Sequence, residues 1–183
     1  MQNEIVTIGF DPSLNAPGWA ILRGKELVAC GTEKPKKSLS QLEKLSRVCE
    51  MTLSVLASQG AGISNETVVI GVEEERVRSS STAAVIGEVI GVIKACCMVN
   101  HGFVLSAGRI GSNVKMQYVD PPPIIDVHPQ KARSLILGYA TKEKDRILAQ
   151  VQMMFPNIHV PDHNAADAVV VALYAYNSFL GLV

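Results

Sequence analysis

Between residues 5 and 32 the chain carries three short apolar stretches, near 4 to 10, 18 to 23 and 26 to 32, cut apart by Pro12, Gly18, Gly24 and Gly31. None is long enough for a stable helix and the breakers are turn formers, so the stretches predict a meander of three strands. The period then changes. From about residue 40 it is helical: Ser40 and Glu43 stand in capping-box spacing, Leu42, Leu45, Cys49, Leu53 and Leu56 form an apolar stripe, and Gly60 marks an end. A fourth strand over 67 to 73 precedes a helix from Ser81 to Asn100, whose Gly87 and Gly91 are spaced to let another helix come close. Further on, Phe103-Val104-Leu105 and Met116-Gln117-Tyr118-Val119 can pair as a hairpin around Gly108 and Gly111 before Pro121-Pro122-Pro123 breaks the chain. Ile124-Ile125-Asp126-Val127 reads as a fifth strand, followed by helices from Pro129 to about Leu137, from Thr141 to Met154 and from Asn164 onward. The whole is one α/β layered domain over residues 1 to 183, with no internal repeat or low-complexity linker.

At 183 residues, 48% hydrophobic and 19% charged, the chain can bury a sizeable core and is not expected to be disordered. No apolar run approaches the roughly 18 to 20 residues that span a bilayer, and Met1-Gln2-Asn3-Glu4 lacks the basic region of a secretory signal, so the cytosol is the expected location. Cys30, Cys49, Cys96 and Cys97 show neither metal-finger nor disulfide spacing and sit in apolar frames, as inert reduced thiols do. Lys+Arg and Asp+Glu both number 17, which argues against a generally basic nucleic-acid coat but allows a local patch. Lys131, Arg133, Lys142, Lys144 and Arg146 outnumber Glu143 and Asp145, and Arg76 and Arg78 stand beside Ser79-Ser80-Ser81. The bland reading of such a run is a solvated face; closeness in sequence to an acid at 73 is what raises the functional one.

Three acids stand in apolar frames. Asp11 closes Ile5-Val6-Thr7-Ile8-Gly9-Phe10, Glu73 ends Thr67-Val68-Val69-Ile70-Gly71-Val72, and Asp167 lies inside Ala165-Ala166-Asp167-Ala168-Val169-Val170-Val171. An ionised carboxylate in such a place is costly to desolvate unless it is paired or bound to a cation, so the three together suggest one metal site. Each has an ordinary alternative: Asp11 as a cap of the next turn through Ser13, Glu73 as part of a solvated run with Glu74 and Glu75, Asp167 as a satisfied helix acid. Alternation along a strand puts Glu73 and Glu75 on one face and Glu74 on the other, leaving Glu75 as a second candidate ligand.

The order of these pieces resembles the RNase H-like nuclease superfamily, and within it the RuvC-type Holliday junction resolvases, over most of the chain. The matching segments are Ile8-Gly9-Phe10-Asp11-Pro12-Ser13, Val72-Glu73, Tyr139-Ala140-Thr141-Lys142-Glu143-Lys144 and Asn164-Ala165-Ala166-Asp167-Ala168. The resemblance implies an RNase H-like fold with a five-stranded mixed sheet, three antiparallel strands and then parallel ones, flanked by helices. It implies a metal-dependent endonuclease that nicks paired strands of branched DNA as a homodimer, leaving 5′-phosphate and 3′-hydroxyl ends. Two Mg2+ ions (or Mn2+) would be held by Asp11, Glu73, Asn164 and Asp167, with Asp11 bridging them. Lys142 and Lys144 would meet phosphates near the cut, and Arg76 and Arg78 the junction arms.

Three departures stand out. Asn164 occupies a position, one turn before Asp167, where the family usually has Asp or His; an amide oxygen is a weaker, neutral ligand, and Asp162 or His163 could substitute. Arg76-Val77-Arg78 replaces the aromatic that bacterial members place after the catalytic Glu, and Arg can stack on bases and bind phosphate. The segment 101 to 123 is longer, as in a viral or otherwise divergent branch. Two rival readings remain: an RNase H-fold nuclease acting on RNA or RNA–DNA hybrids, like the YqgF-like group, and a noncatalytic junction-binding protein. The Ser81–Asn100 helix, with Val85, Val89, Val92, Ile93 and Cys96, is either a dimer interface or ordinary core.

Overall fold

A computed structural model describes residues 4–58, 67–74, 80–102, 121–140 and 143–183. Strands β1 (Ile5–Asp11), β2 (Gly18–Arg23) and β3 (Glu26–Thr32) form the antiparallel meander expected from the breakers. After helix α1 (Gln41–Ser58), strand β4 (Thr67–Glu73) joins β1 in parallel; after α2 (Ser80–Gly102), β5 (Ile124–Val127) joins β4 in parallel. The sheet order is β3-β2-β1-β4-β5. Helices α3 (Pro129–Leu137), α4 (Lys144–Met154) and α5 (His163–Phe179) complete the chain. This is the expected mixed sheet between two helical layers. The expected hairpin between 103 and 119 falls outside the described residues. Helix α4 begins three residues later than the sequence predicted, with Glu143 in extended backbone as its N-cap.

Alternation along β1 and β4 divides the core. Val6, Ile8 and Phe10, with Ile70 and Val72, turn to one face and pack against α1 and α2; there they meet Val48, Met51, Val55, Val89, Ile93 and Cys97. The other face takes α5, which runs over the middle of the sheet and carries buried residues from Ala165 to Ala175. Its close approach has a simple cause. Gly9 and Gly71 are paired across β1 and β4. A Cβ on Gly9 would lie 2.6 Å from Ala172 N, and one on Gly71 2.8 Å from Ala175 Cβ, so only hydrogen at both positions lets the helix sit down.

Three expectations need correction. The α1 stripe holds only in part: Leu56 is buried and Leu45 packs on the core, but Leu42 and Leu53 are exposed, and Val48, Met51, Thr52 and Val55 are buried instead. The capping box does form, with Ser40 N and Oγ donating to Glu43 Oε2 at 2.7 and 2.6 Å, and it fixes where the helix starts rather than which face turns inward. Gly87 and Gly91 are exposed and nothing described lies within 4 Å of a Cβ at either, so they seat none of the described helices. Val89, Ile93 and Cys96 of the candidate interface stripe are buried core, with Val85 and Val92 partly covered. Finally, Thr82–Val99 does reach the length and apolarity of a bilayer span, 18 residues. Its Glu88 accepts from Gln41 Nε2 at 2.5 Å and its Lys94 pairs with Asp126 at 2.6 Å; Val89 and Ile93 pack inward, which ties one side of the helix to the layered domain.

Candidate nuclease site

The C-terminal ends of the parallel strands share one edge of the sheet, and in open α/β sheets that edge is where ligands gather. Phe10 pairs with Val72, so Asp11 and Glu73, the residues after them, end neighbouring strands side by side. By alternation both continue the faces of Gly9 and Gly71, toward α5. The helix meets them there. Gly18 pairs with Asp11, and a Cβ on it would lie 2.6 Å from the carbonyl carbon of Asn164, so the first turn of α5 lies directly over the end of β1. Asp167, one turn on, faces the same edge. Glu73 and Asp167 are the only buried acids among the described residues, 8% and 6% exposed.

The three carboxylates feel one another. The Asp11 carboxyl is held well above the usual range, first by burial, then by the negative charges of Glu73 and Asp167; Arg133 and Lys144 oppose the shift. Asp167 is also raised, by burial foremost, against the pull of Arg133, Lys144 and His163. Among the described residues, Arg133 and Lys144 are the cations felt by both Asp11 and Asp167, with His163 near Asp167. Glu74 points elsewhere, pairing with Lys94 at 3.2 Å, which leaves Glu73 as the strand-end acid of the described pair; Glu75 is outside the described residues. Asp11 does not organise its turn, since Ser13 Oγ accepts from Asn15 N and Ala16 N at 3.3 and 3.2 Å.

Asp162 is fully engaged as the N-cap of α5. Its Oδ1 accepts from Asn164 N, Ala165 N and Thr32 Oγ1 at 3.1, 3.2 and 2.6 Å, and its Oδ2 meets Lys34 Nζ at 2.8 Å. These bonds pull its carboxyl down to about 2. It is therefore a structural cap and not a substitute ligand for Asn164. Asn164 sits half-buried on the first turn of α5, over the strand ends.

Sequence reasoning passed over Arg133, which it left in a solvated basic face. The structure gives that run specific partners. Arg133 Nε and Nη2 donate to Asp167 Oδ1 at 3.1 and 2.9 Å, Arg146 lies 4.2 Å over the Tyr139 ring, and Lys131 lies 5.5 Å from the Tyr174 ring centre. The available signal was position: Arg133 follows Ala132 on a nine-residue helix that packs on α5. Lys144, the exposed first residue of α4, is near enough for its charge to be felt by both Asp11 and Asp167. Lys142, Arg76 and Arg78 lie outside the described residues.

Among the described residues, no three His, Cys, Asp or Glu side chains close on one point as a finished ligand set. Asp167 is instead occupied by Arg133 on one oxygen. The donor chemistry nonetheless fits a hard divalent cation: carboxylate oxygens gathered at one sheet edge, two of the carboxyls raised above the usual range chiefly by burial.

A five-stranded mixed sheet in this order, flanked by helices, is an RNase H-like fold. No family model matches the chain. It is 24% identical over 178 residues to the crossover junction endodeoxyribonuclease RuvC of Bradyrhizobium diazoefficiens, covering 94% of this chain and 87% of that one. With the RuvC of Rhizobium meliloti the identity is 27% over 183 residues, covering 97% and 92%. Among solved structures, Thermus thermophilus RuvC in complex with a Holliday junction substrate superposes with a TM-score of 0.68 at 19% identity, over 97% of this chain and 96% of that one. The fold is that of RuvC, and the sequence likeness to RuvC proteins runs over nearly the whole chain.

Proposed function

We propose that this protein is a metal-dependent endonuclease that resolves Holliday junctions and related branched DNA by paired nicking. The observation that carries the reading is the convergence of Asp11, Glu73 and Asp167 at one sheet edge, in a chain similar to RuvC over nearly its whole length. Asp11, Glu73 and Asp167 would hold Mg2+ or Mn2+, two ions per site, with Asn164 as a neutral fourth donor or a water-orienting group. Bound metal supplies charge neutralisation at the scissile phosphate and an activated water.

The chain's own residues do the rest. Lys144, exposed near the acids, would offer a positive charge to a phosphate, and Lys142 would add a second. Arg133 fixes Asp167, and the Asp162 cap fixes the first turn of α5 that carries Asn164. Arg76 and Arg78, just past the strand-end Glu73, would grip the junction arms through phosphate contacts and stacking. A four-way junction presents two equivalent strands, so a C2 homodimer with two sites follows from the function. The cytoplasm, or that of a host for a viral member, is where such an enzyme would act.

The test is cleavage of matched labelled substrates in Mg2+, Mn2+ or EDTA: a four-way junction, a Y-fork, plain duplex and an RNA–DNA hybrid. Metal-dependent cutting with preference for the junction supports the reading. Preference for the hybrid would favour the RNase H-like alternative, and junction binding with no cutting in any metal would mean a noncatalytic binder.

A further inference from the structure

Arg133 is unlike the other basic residues near the site. It sits on α3, a helix held at both ends, by Pro129 in its first turn and by Gly138 in left-handed backbone (φ 80°) at its C-cap. Ala132, its neighbour, is fully buried in the core that α3 shares with α5. The guanidinium is itself mostly covered, its side chain 15% exposed against 8% for Asp167. Lys144, by contrast, is exposed.

The geometry of the pair is specific. Both Arg133 donors, Nε and Nη2, go to the same oxygen, Oδ1, instead of one to each oxygen. Asp167 Oδ2 is left out of the pair. An arginine stays charged at every working pH. The cluster therefore contains a fixed cation next to one of its three acids, already answering part of the negative charge that would otherwise draw in a metal ion.

We propose that Arg133 is a positioning residue: it locks Asp167 through one carboxylate oxygen and, as a permanent cation, holds down the affinity of the Asp11–Glu73–Asp167 cluster for a divalent ion. The consequence is a site that fills weakly by itself and more fully once a DNA phosphate adds negative charge. This rests on the reading of the three acids as metal ligands.

The experiment is calorimetric titration of the EDTA-stripped full chain with Mn2+ alone, without DNA, alongside thermal melting with and without Mn2+. Arg133→Gln keeps a donor for Asp167 and drops the charge; it is expected to bind Mn2+ about ten- to a hundredfold more tightly than wild type, the effect of one unit charge near a divalent ion in a partly buried site. Its melting temperature should fall in EDTA and rise more than that of wild type on adding Mn2+. Arg133→Lys keeps the charge and should bind Mn2+ within about threefold of wild type. Asp11→Asn should lose most Mn2+ binding in either background. Arg133→Gln binding no tighter than wild type, while Asp11→Asn still abolishes binding, would overturn the role of Arg133 alone. Mn2+ binding indifferent to Asp11→Asn would overturn the metal-site reading and this proposal with it.

Discussion

Replacing Asp11 by Asn should make the metal-free protein more stable while destroying its activity. Asp11 and Glu73 end adjacent parallel strands, so their carboxylates are about 5 to 6 Å apart given the usual strand spacing. At an effective dielectric near 20, two like charges at that distance repel by roughly 3 kcal/mol. Asp167 adds to the repulsion, while Arg133 and Lys144 offset much of it. A net gain of about 1 to 2 kcal/mol for Asp11→Asn is expected, which for a domain of this size raises the melting temperature by roughly 3 to 6 °C. The pH dependence has a definite sign. Because the folded carboxyl titrates above its ordinary value of 3.8, its contribution to stability is full below that value and is lost as pH rises through the folded one. Asn cannot ionise, so the advantage of the variant should be small at pH 4 and largest at pH 8. Circular-dichroism melts in EDTA across that range measure it, and adding Mg2+ should stabilise wild type but not the variant. An Asp11→Asn protein less stable than wild type at pH 8 in EDTA, or a gap that does not change with pH, would refute the picture of three repelling acids.

Further consequences follow from the helix that carries Asp167. Gly9→Ala places a Cβ 2.8 Å from Ala172 Cβ and closer still to α5 backbone, so the helix must lift. A loss of about 1 to 3 kcal/mol in urea unfolding is expected, with cleavage reduced roughly a hundredfold through misplacement of Asp167. Asp162→Ala removes the α5 cap and should cost about 1 to 2 kcal/mol near neutral pH. Since that carboxyl is lowered to about 2, the stabilisation is present above 3.8 and fades as pH falls toward 2, where the two proteins should converge in acid unfolding curves. Asn164→Asp adds a charged oxygen donor one turn from Asp167 and should tighten Mn2+ binding in a direct titration; unchanged or weaker binding would remove Asn164 from the site.

Much of the fold was legible because it is written in short-range signals. The breakers Pro12, Gly18 and Gly24 bound the meander, and the runs ending at Asp11 and Glu73 are strands to their last residue. The site acids were legible for the same reason: a charge at the end of an apolar run needs a purpose. What failed depends on partners that sequence does not show. Leu42 and Leu53 looked like the inward face of α1, but the packing of α2 selects Val48, Met51 and Val55 instead. Gly87 and Gly91 had the spacing of a helix contact yet face outward, while the glycines that do admit a helix, Gly9, Gly18 and Gly71, lie in strands. Arg133 read as one charge in a basic run, and only the docking of α3 on α5 brings it to Asp167. Asp162 read as a spare ligand, and only the approach of Thr32 and Lys34 shows it to be a cap.

The central claim is that the strand-end acids cut branched DNA, and its most direct test is nick mapping on a four-way junction with each of the four strands labelled in turn. Wild type in Mg2+ should nick two opposing strands at symmetric positions, leaving ligatable 5′-phosphate and 3′-hydroxyl ends. EDTA, or Glu73→Gln with junction binding intact, should abolish the nicks. Cleavage that persists in Glu73→Gln, or that falls equally on duplex and junction, would contradict the account.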